Sequence, residues 1–310
     1  MHKTVLITGG SGFLGRQIVK YAENAGYKVL APRSSELDLL NWDGSAGYFD
    51  EHPDIDVIIH SAAYYGGIGI NKNEPATIFY RNIQMAINVF EMARVAGVKK
   101  ILPIGSACAY PGSIHGDLKE DDFWNGELHD SVEAYGFSKK VQLVGQNAYY
   151  KQYGIESNHL ILTNLYGPND VFTEYRSHVV SALIKKFTDS KEKVKLWGDG
   201  SPIREFLYVE DAAEAIVKAI ELPHSTEPVN IGTGRGTTIR ELAEHIEKIT
   251  DFDGELEWDT DMPNGVARKV LDINRMKSQL DWEPKYSLED GLKKTIQWYV
   301  ANKEMADQRQ

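Results

Sequence analysis

Ser106 and Cys108 bring a hydroxyl and the only thiol of the chain to one short stretch, residues 101–111. The stretch begins with apolar residues that could form a buried strand and ends in small and polar ones. In an open α/β sheet, ligands bind outside the carboxyl ends of the strands, so both groups would face a site there. Taken alone, the stretch is better explained as a strand that ends in a turn, with Cys108 packed as a small apolar side chain. Whether the thiol takes part in chemistry therefore depends on the rest of the chain.

Tyr135 and Lys139 are four residues apart, so on a predicted helix they share one face. A phenol has an ordinary pKa of about 10, and a neighbouring ammonium favours the phenolate and lowers that pKa. Such a pair can give a proton to a carbonyl oxygen while a serine such as Ser106 holds the same oxygen. The pattern Tyr-x-x-x-Lys is common by chance. Together with Ser106 and a glycine-rich turn at the N-terminus, it indicates carbonyl reduction.

The glycine-rich turn, Gly9-x-x-Gly12-x-x-Gly15, lies between a predicted strand over residues 3–8 and a predicted helix that reaches about Asn24. That order is the context that a dinucleotide-binding turn requires. Its glycines permit a tight turn and a close approach of the backbone to a pyrophosphate, which lies on the helix N-terminus. The spacing differs from G-x-G-x-x-G, but the position and flanks predict a dinucleotide site. The cofactor contacts predicted here are Gly9, Gly10, Ser11, Gly12, Phe13, Leu14 and Gly15.

The residues after the second predicted strand, 27–31, indicate NADP(H) as the cofactor. NAD-preferring sites usually end this strand with an acidic residue that binds the ribose 2′-hydroxyl. This chain has the sequence PRSS at residues 32–35. The planar guanidinium of Arg33 beside two hydroxyls suits a 2′-phosphate. A solvated surface arginine is the alternative, and Glu36 close by weakens the assignment slightly.

Taken together, these motifs resemble the extended short-chain dehydrogenase/reductase family, and the resemblance covers nearly the whole chain. It is carried by TGGSGFLG (8–15), by Ser106, Tyr135 and Lys139, and by TNLYGP (163–168). Within that family, further segments are similar to the GDP-L-fucose synthase branch. These segments are SAAYYGGIGINKNEP, GSACAYP, TNLYGPNDVF, SHVVSALIKKF and LWGDGSPIREFLYVED.

The resemblance implies an NADPH-dependent enzyme that converts GDP-4-keto-6-deoxy-D-mannose to GDP-L-fucose, by epimerisation at C3 and C5 and then reduction at C4. Cys108 would be the base and His178 the acid of the epimerisation, since thiol and imidazole can both exchange protons near neutral pH. Tyr135 would protonate the C4 oxygen, with Lys139 supporting it and Ser106 positioning that oxygen. A histidine at a helix start is more often a capping or packing residue, so the role of His178 rests on the resemblance.

The resemblance also implies binding residues. For the cofactor they are Asp38, Leu39, Ala62, Ala63, Tyr135, Lys139, Thr163, Asn164, Leu165 and His178. For the substrate they are Asn164, Lys186, Trp197, Arg204 and Lys269. Lys186 stands where the family usually has an arginine, which keeps the charge but loses bidentate geometry. A tryptophan before a turn, such as Trp197, is more often a core residue than a stacking platform. Either Arg268 or Lys269 could reach the diphosphate.

Two other functions are compatible with these motifs. A related nucleotide-sugar 4-reductase or NAD-dependent sugar epimerase could act on a different keto sugar. Plain 4-epimerisation needs no acid and base such as His178 and Cys108, so that pair argues against it. A non-catalytic NADP-binding regulator on the same fold should have lost the tyrosine or the lysine, and both are present here.

The elements that must position these residues alternate between strand and helix. This predicts the α/β class: a Rossmann-type doubly wound parallel sheet with a smaller, interleaved C-terminal substrate lobe. We expect the NADP-binding domain to cover residues 1–166 plus returning segments at about 205–231. The substrate lobe would then cover residues 167–204 and 232–310.

Three local expectations follow from residue patterns. A long helix should run from about Pro75 to residue 96, with Gly97 as its C-terminal cap. A single strand should cover residues 160–165, and the polar tail from Asn302 should be frayed. The family resemblance implies a homodimer through the helices that start near Pro75 and Tyr135.

Composition and charge limit the other possible partners. The chain has 310 residues, of which 42% are hydrophobic and 25% charged, as is ordinary for a globular protein. A net charge of −11 argues against a nucleic-acid or membrane-surface partner. The N-terminus leads directly into a predicted strand, which is unlike a signal peptide, and no apolar run approaches the roughly 20 residues that span a bilayer. One cysteine fits the reducing cytoplasm, and no spacing of residues indicates a metal site.

Overall fold

A computed structural model describes residues 3–173, 175–262 and 264–309. Its strands are β1 (Thr4–Thr8), β2 (Lys28–Leu30), β3 (Ile55–His60), β4 (Lys100–Ser106), β5 (Glu156–Ser157), β6 (Leu160–Leu162), β7 (Asn164–Tyr166), β8 (Lys193–Trp197), β9 (Ile203–Arg204), β10 (Phe206–Tyr208), β11 (Val229–Ile231), β12 (Thr237–Thr238), β13 (Glu255–Asp259) and β14 (Arg268–Lys269). Its helices are α1 (Phe13–Asn24), α2 (Trp42–Glu51), α3 (Ile68–Asn73), α4 (Pro75–Ala96), α5 (Glu133–Tyr153), α6 (Val179–Asp189), α7 (Val209–Lys218), α8 (Ile239–Thr250), α9 (Asn274–Leu280), α10 (Leu288–Ala301) and α11 (Lys303–Gln308).

The main sheet is parallel, with the strand order β11-β6-β4-β3-β1-β2 and with β5 pairing with β4. Its central strands are near-continuous apolar runs, as expected of a sheet that is covered on both faces. All five residues of β1 are buried, for example. The predicted α/β class with a Rossmann-type parallel sheet is confirmed.

Helices cover the sheet on both faces. On one face, Val5 and Ile7 of β1 pack in the same cluster as Ile18 of α1 and Ile216 of α7. On the other, the intervening Leu6 packs in a cluster with side chains of α4. Because successive strand residues point to opposite faces, this alternation places one helical layer on each side.

Helix α4 has the bounds that its sequence predicts. Pro75 occupies the first turn, where a missing N–H costs nothing, and Gly97 caps the end at φ +73°. Helix α5 lies beside it, with the Phe90 and Tyr149 rings stacked at 5.4 Å between centroids. Helix α5 is the element that carries Tyr135 and Lys139.

A second apolar cluster lies beyond the main sheet, among α6, α8 and α10. It includes Leu183, Leu242 and Leu292, each fully or almost fully buried. Short strands complete this part of the chain: β8 pairs with β13, and β9 pairs with both β12 and β14. These strands bring Trp197, Arg204 and Lys269 toward the carboxyl end of the main sheet.

The predicted strand over residues 160–165 is wrong as a single element. Strand β6 ends at Leu162 in the main sheet, and β7 pairs with β10 in a separate two-stranded sheet. The break falls at Thr163, whose hydroxyl donates to the Glu205 carbonyl at 3.2 Å. Asn164 donates its side-chain N–H to the same carbonyl at 2.9 Å. These two hydrogen bonds tie the start of β7 to Glu205, directly before β10, and not to the main sheet.

The expectation of a frayed tail is also wrong for the residues up to 309. Helix α11 buries Ala306 completely, and Asp307 pairs with Lys185 at 2.6 Å. Arg309 donates to the backbone carbonyl of Asn169. The polar residues of the tail are therefore held by partners on α6 and on the loop after β7.

Among the described residues, no helix is long and apolar enough to cross a membrane.

Candidate active site

A cavity of about 1150 Å³ lies at the carboxyl ends of the main-sheet strands. Its walls come from the glycine-rich turn, the ends of β1, β3, β4 and β6, and helices α5 and α6. Every predicted catalytic and binding residue lines it except Gly10 and Arg33. The sheet therefore brings together residues from Gly9 to Lys269, as expected of a ligand site in a doubly wound fold.

The glycine-rich turn has the geometry of a cradle for a dinucleotide pyrophosphate. Gly9 has φ +71°, and Gly12 donates its N–H to the Gly9 carbonyl at 2.9 Å. A Cβ on Gly15 would lie 2.0 Å from that same carbonyl oxygen, so no side chain fits there. Gly12, at the N-cap of α1, has no side chain to occupy the helix N-terminus. The backbone N–H groups of the first turn can thus receive a phosphate, and these residues fit a dinucleotide cofactor.

Arg33, which follows β2, does not line the cavity, so its contact with the cofactor stays a prediction. Arg33 is exposed, and its backbone N–H donates to the Glu36 carboxylate at 2.8 Å. Its neighbours Pro32 and Ser34 line the cavity, as do Asp38 and Leu39. The guanidinium therefore lies next to the cavity rim rather than in its wall.

Ser106 and Cys108 lie at the end of β4. Ser106 is the last residue of the strand, and its hydroxyl accepts the Cys108 N–H at 3.2 Å, which caps the helical turn Ala107–Ala109. Helix α5 approaches this turn closely, since a Cβ on Gly136 would lie 2.4 Å from the Cys108 carbonyl oxygen. The glycine that follows Tyr135 thus allows the phenol to come beside the serine and the thiol.

Tyr135 and Lys139 lie on the same face of α5, with the Lys139 nitrogen 5.6 Å from the centre of the tyrosine ring. Lys139 donates to the Ile104 carbonyl at 2.7 Å and is 3% exposed. Burial lowers the pKa of Lys139 from 10.5 to about 8. Burial raises the pKa of Tyr135, and the nearby Cys108 and Tyr65 raise it further, while a hydrogen bond with Ser106 acts in the opposite direction.

A lowered pKa of Tyr135 is therefore not found, since the pKa of the phenol lies above its ordinary value. Desolvation is the largest influence on both groups and disfavours the charged form of each. A protonated phenol suits a group that has to donate a proton to a carbonyl oxygen. The arrangement of serine, tyrosine and lysine stays compatible with carbonyl reduction.

His178 lines the cavity as the N-cap residue of α6. Its ring stacks on Tyr65, with 5.8 Å between the ring centroids and 19° between the planes. Both the thiol of Cys108 and the imidazole of His178 are partly accessible from the cavity. The cavity thus has proton-exchanging groups on two walls.

The predicted substrate residues form the outer part of the cavity. Lys186 donates to the Lys195 carbonyl at 2.9 Å and lies over the Trp197 ring at 5.9 Å. Trp197 is 55% exposed, so it is a surface platform and not a core residue. Burial lowers the pKa of the neighbouring Arg204 guanidinium.

The contacts of Arg268 and Lys269 indicate which of the two could bind a diphosphate in the cavity. Arg268 forms an ion pair with Asp117 at 2.6 Å and does not line the cavity. Lys269 lines it and donates to the Cys108 sulfur at 3.8 Å. A diphosphate in the cavity would therefore meet Lys269 rather than Arg268.

Several polar residues near the cavity are not among the predicted site residues, although Tyr65, Asp170 and Glu205 lie in segments that carry the resemblance. Glu205 is fully buried and accepts backbone N–H groups of Gly234 at 2.9 Å and Leu271 at 2.7 Å, so it fixes the segments next to Arg204 and Lys269. His60 and His159 are buried, and burial lowers the pKa of each to about 3. The remaining ones are Tyr65, whose ring stacks on His178, and Asp170, which is buried and accepts the Ser181 hydroxyl.

The chain is similar to known proteins over nearly its full length. The sequence pattern of the NAD dependent epimerase/dehydratase family matches residues 5–232. GDP-L-fucose synthase 1 from Arabidopsis thaliana is 38% identical, over 96% of this chain and 93% of the relative. GDP-L-fucose synthase from Escherichia coli K12 is 36% identical, over 97% of both chains.

Solved structures are also similar to this chain over nearly its full length. A GDP-L-fucose synthetase from Naegleria fowleri bound to NADP superposes with a TM-score of 0.90 at 26% identity. The superposition covers 99% of this chain and 95% of the other. The glycine-rich turn, Ser106, Tyr135 and Lys139 all lie within the matched range, residues 5–232. The chain therefore belongs to the NAD dependent epimerase/dehydratase family, the extended branch of the short-chain dehydrogenases/reductases.

Proposed function

We propose that this protein is a GDP-L-fucose synthase. It would convert GDP-4-keto-6-deoxy-D-mannose to GDP-L-fucose by epimerisation at C3 and C5 and NADPH-dependent reduction at C4. The observation that carries the proposal is the presence of Cys108 and His178 in the same cavity as Ser106, Tyr135 and Lys139. The full-length similarity to GDP-L-fucose synthases supports the same substrate.

Epimerisation starts from the acidity that the C4 carbonyl gives to the hydrogens at C3 and C5. Cys108, as thiolate, removes one of these protons and leaves an enolate. Ser106 and Tyr135 donate hydrogen bonds to the enolate oxygen, where the negative charge develops. His178, carried by a different element of the cavity wall, would return a proton to the other face of the same carbon and invert it.

Reduction uses the same hydrogen-bond donors. Bound NADPH would supply the hydride that adds to C4. Tyr135 transfers its phenolic proton to the C4 oxygen, and Ser106 holds that oxygen during the transfer. Lys139 stabilises the negative charge that the tyrosine then carries. Both half-reactions therefore use Ser106 and Tyr135, and Cys108 and His178 serve the first alone.

The GDP moiety would occupy the outer part of the cavity. Arg204 and Lys269 supply positive charge for the diphosphate, and Lys186 supplies a further charge at its edge. The exposed indole of Trp197 offers a flat surface on which the guanine can stack. Asn164 lines the same cavity and is assigned to both ligands.

The test is turnover of GDP-4-keto-6-deoxy-D-mannose with NADPH in heavy water, with the product analysed by NMR. Deuterium at both C3 and C5 together with a reduced C4 is expected. Cys108→Ser should lose deuterium incorporation far more than hydride transfer, and Tyr135→Phe should lose hydride transfer. Reduction at C4 without deuterium at either carbon would make the protein a simple 4-reductase. No turnover here, with turnover of UDP- or dTDP-linked keto sugars, would show a different substrate.

We also propose a cytoplasmic homodimer, in which α4 and α5 of two copies pack together. Large apolar side chains remain exposed on these helices: Phe79, Tyr80 and Ile87 on α4, and Phe137 and Val144 on α5. Exposed apolar side chains on two adjacent helices suit contact with a second copy of the same helix pair. Ile87→Glu with Val144→Lys should give a monomer by light scattering, and an unchanged mass would contradict this interface.

A further inference from the structure

Two segments that line the cavity are hydrogen-bonded to each other: residues 65–69, which follow β3, and residues 175–178, which lead into α6. Gly67 donates its N–H to the Arg176 carbonyl at 3.1 Å. In return, the Arg176 guanidinium donates to the Tyr65 carbonyl at 2.9 Å. Each segment therefore supplies both a donor and an acceptor to the other, and their relative position is fixed.

The glycines of the first segment allow the second one to approach closely. A Cβ on Gly67 would lie 2.4 Å from the Ser177 carbonyl oxygen, and one on Gly69 would lie 3.2 Å from the Tyr175 carbonyl oxygen. Gly67 has φ −67°, an angle that any residue adopts, so the close approach and not the backbone conformation requires glycine here. A side chain at residue 67 would push away the backbone that directly precedes His178.

The ring of Tyr65 covers one face of the His178 imidazole. Their centroids are 5.8 Å apart and their planes differ by 19°, which is the geometry of an offset stack. His178 makes no side-chain hydrogen bond to the helix that it caps. The stack with Tyr65 therefore fixes the plane of the imidazole, which the helix itself does not. Burial raises the pKa of the Tyr65 phenol, so this residue stays uncharged beside the imidazole.

We propose that Tyr65 and Gly67 are positioning residues for His178: the Tyr65 ring holds the plane of the imidazole, and Gly67 lets the backbone before it lie against residues 65–69. The inference rests on the proposed function, in which His178 is the acid of the epimerisation. A displacement of about 1 Å is enough to slow a step that depends on exact placement of a reacting group. Hydride transfer to C4 uses Tyr135 and does not depend on this placement.

The first test compares Tyr65→Leu, which loses the stack, with Tyr65→Phe, which keeps the ring and loses only the hydroxyl. The readout is the rate at which the keto sugar gains deuterium with inversion at C3 and C5, measured by NMR with NADP⁺ in place of NADPH so that no reduction follows. Tyr65→Leu should slow this exchange about threefold to tenfold, and Tyr65→Phe should stay near the wild-type rate. Tyr150→Leu is the matched control, because Tyr150 stacks on His224 at 22° between planes and both lie outside the cavity.

The second test is Gly67→Ala. Its Cβ has to displace the Ser177 carbonyl, so the exchange with inversion should fall by at least about tenfold. Gly116→Ala is its control, because a Cβ on Gly116 meets no atom within 4 Å, and this variant should exchange like the wild type.

Two measurements separate a positioning role from a general loss of structure. In a His178→Gln background, Tyr65→Leu should cause no further loss of exchange, because its effect passes through the imidazole. Without any substrate, the NMR signals of the His178 ring should move in Tyr65→Leu, since a stacked aromatic ring shields them. The signals are assigned with isotope-labelled histidine, by their absence in His178→Gln.

Wild-type exchange in Tyr65→Leu would overturn the inference, and so would unmoved signals of the His178 ring. An equal loss in Tyr65→Phe and Tyr65→Leu would also overturn it, because the hydroxyl and not the stack would then be required. These results leave the proposed function intact as long as the wild type exchanges. If the wild type exchanged at neither carbon, the proposed function would fall, and the signals of the His178 ring would still decide whether Tyr65 holds the imidazole.

Discussion

The Lys269 ammonium lies 3.8 Å from the Cys108 sulfur, although 161 residues separate them in the chain. Lys269 is on β14, where it pairs in register with Arg204 of β9. Cys108 also influences Arg204, since its negative charge opposes the lowering of the Arg204 pKa by burial. The thiol of the proposed base therefore faces two cations from the second half of the chain. Thiolates are favoured in such electropositive surroundings.

Lys269→Met should make Cys108 less nucleophilic, because the sulfur loses the cation that stabilises its negative charge. Cys108 is the only cysteine, so alkylation by iodoacetamide reports on it alone. We expect alkylation at pH 7.5 to slow by about tenfold. The control is Lys285→Met, since Lys285 pairs with Glu214 at 2.6 Å outside the cavity. Equal rates in wild type and Lys269→Met would contradict a role for Lys269 at the thiol.

The buried Lys139 should cost stability at neutral pH. Its pKa is lowered from 10.5 to about 8, so the unfolded chain binds this proton more tightly than the folded protein does. The cost is complete below about pH 8 and fades as the pH rises toward 10.5. Lys139→Met should therefore raise the free energy of unfolding at pH 7 by about 1–3 kcal/mol, with part of the gain offset because the Ile104 carbonyl loses its donor.

The measurement for Lys139→Met is urea denaturation at pH 7 and pH 10, together with the rate of C4 reduction. The gain in stability should shrink at pH 10, and C4 reduction should be lost at both pH values. A gain of the same size at both pH values would show that packing of the methionine, and not the removed charge, is its cause.

The sequence predicts those parts of the site that depend on local patterns. The turn from Gly9 to Gly15 needs glycine for steric reasons, which a sequence reveals directly. Helix α4 has Pro75 at its start and Gly97 at its end, and both signals are local. The apolar run at the start of residues 101–111 predicts a buried strand, and Cys108 follows the carboxyl end of that strand, β4.

The remaining features depend on partners far away in the chain. Strand β6 stops at Leu162 because the next two side chains bind the Glu205 carbonyl, about forty residues later. The tail from Asn302 is polar, and polarity alone does not distinguish a frayed end from one that pairs with Lys185. Asp170 lies in the segment TNLYGPNDVF, but its burial and its hydrogen bond with Ser181 emerge only once the loop after β7 is folded.

Gly15→Ala should disrupt cofactor binding more than global stability. A Cβ at residue 15 would meet the Gly9 carbonyl at 2.0 Å, so the turn has to open where the pyrophosphate would bind. We expect NADPH affinity, measured by calorimetry, to fall by at least about tenfold. Gly47→Ala is the matched control: it lies in α2 with open space around its Cβ and should stabilise the protein by about 0.5–1 kcal/mol. Wild-type affinity in Gly15→Ala would contradict the proposed cradle.

Arg33→Ser should change the choice between the two nicotinamide cofactors. Arg33 is exposed beside the cavity residues Pro32 and Ser34, and we expect its guanidinium to contact the 2′-phosphate alone. The KM for NADPH should rise about tenfold, because a charge-assisted phosphate contact is lost. The KM for NADH, which has no such phosphate, should change little. Arg235→Ser removes an exposed arginine away from the cavity and should alter neither value. An equal rise for both cofactors would assign Arg33 to the adenosine ribose or to the fold of the loop, and the 2′-phosphate would then need another partner.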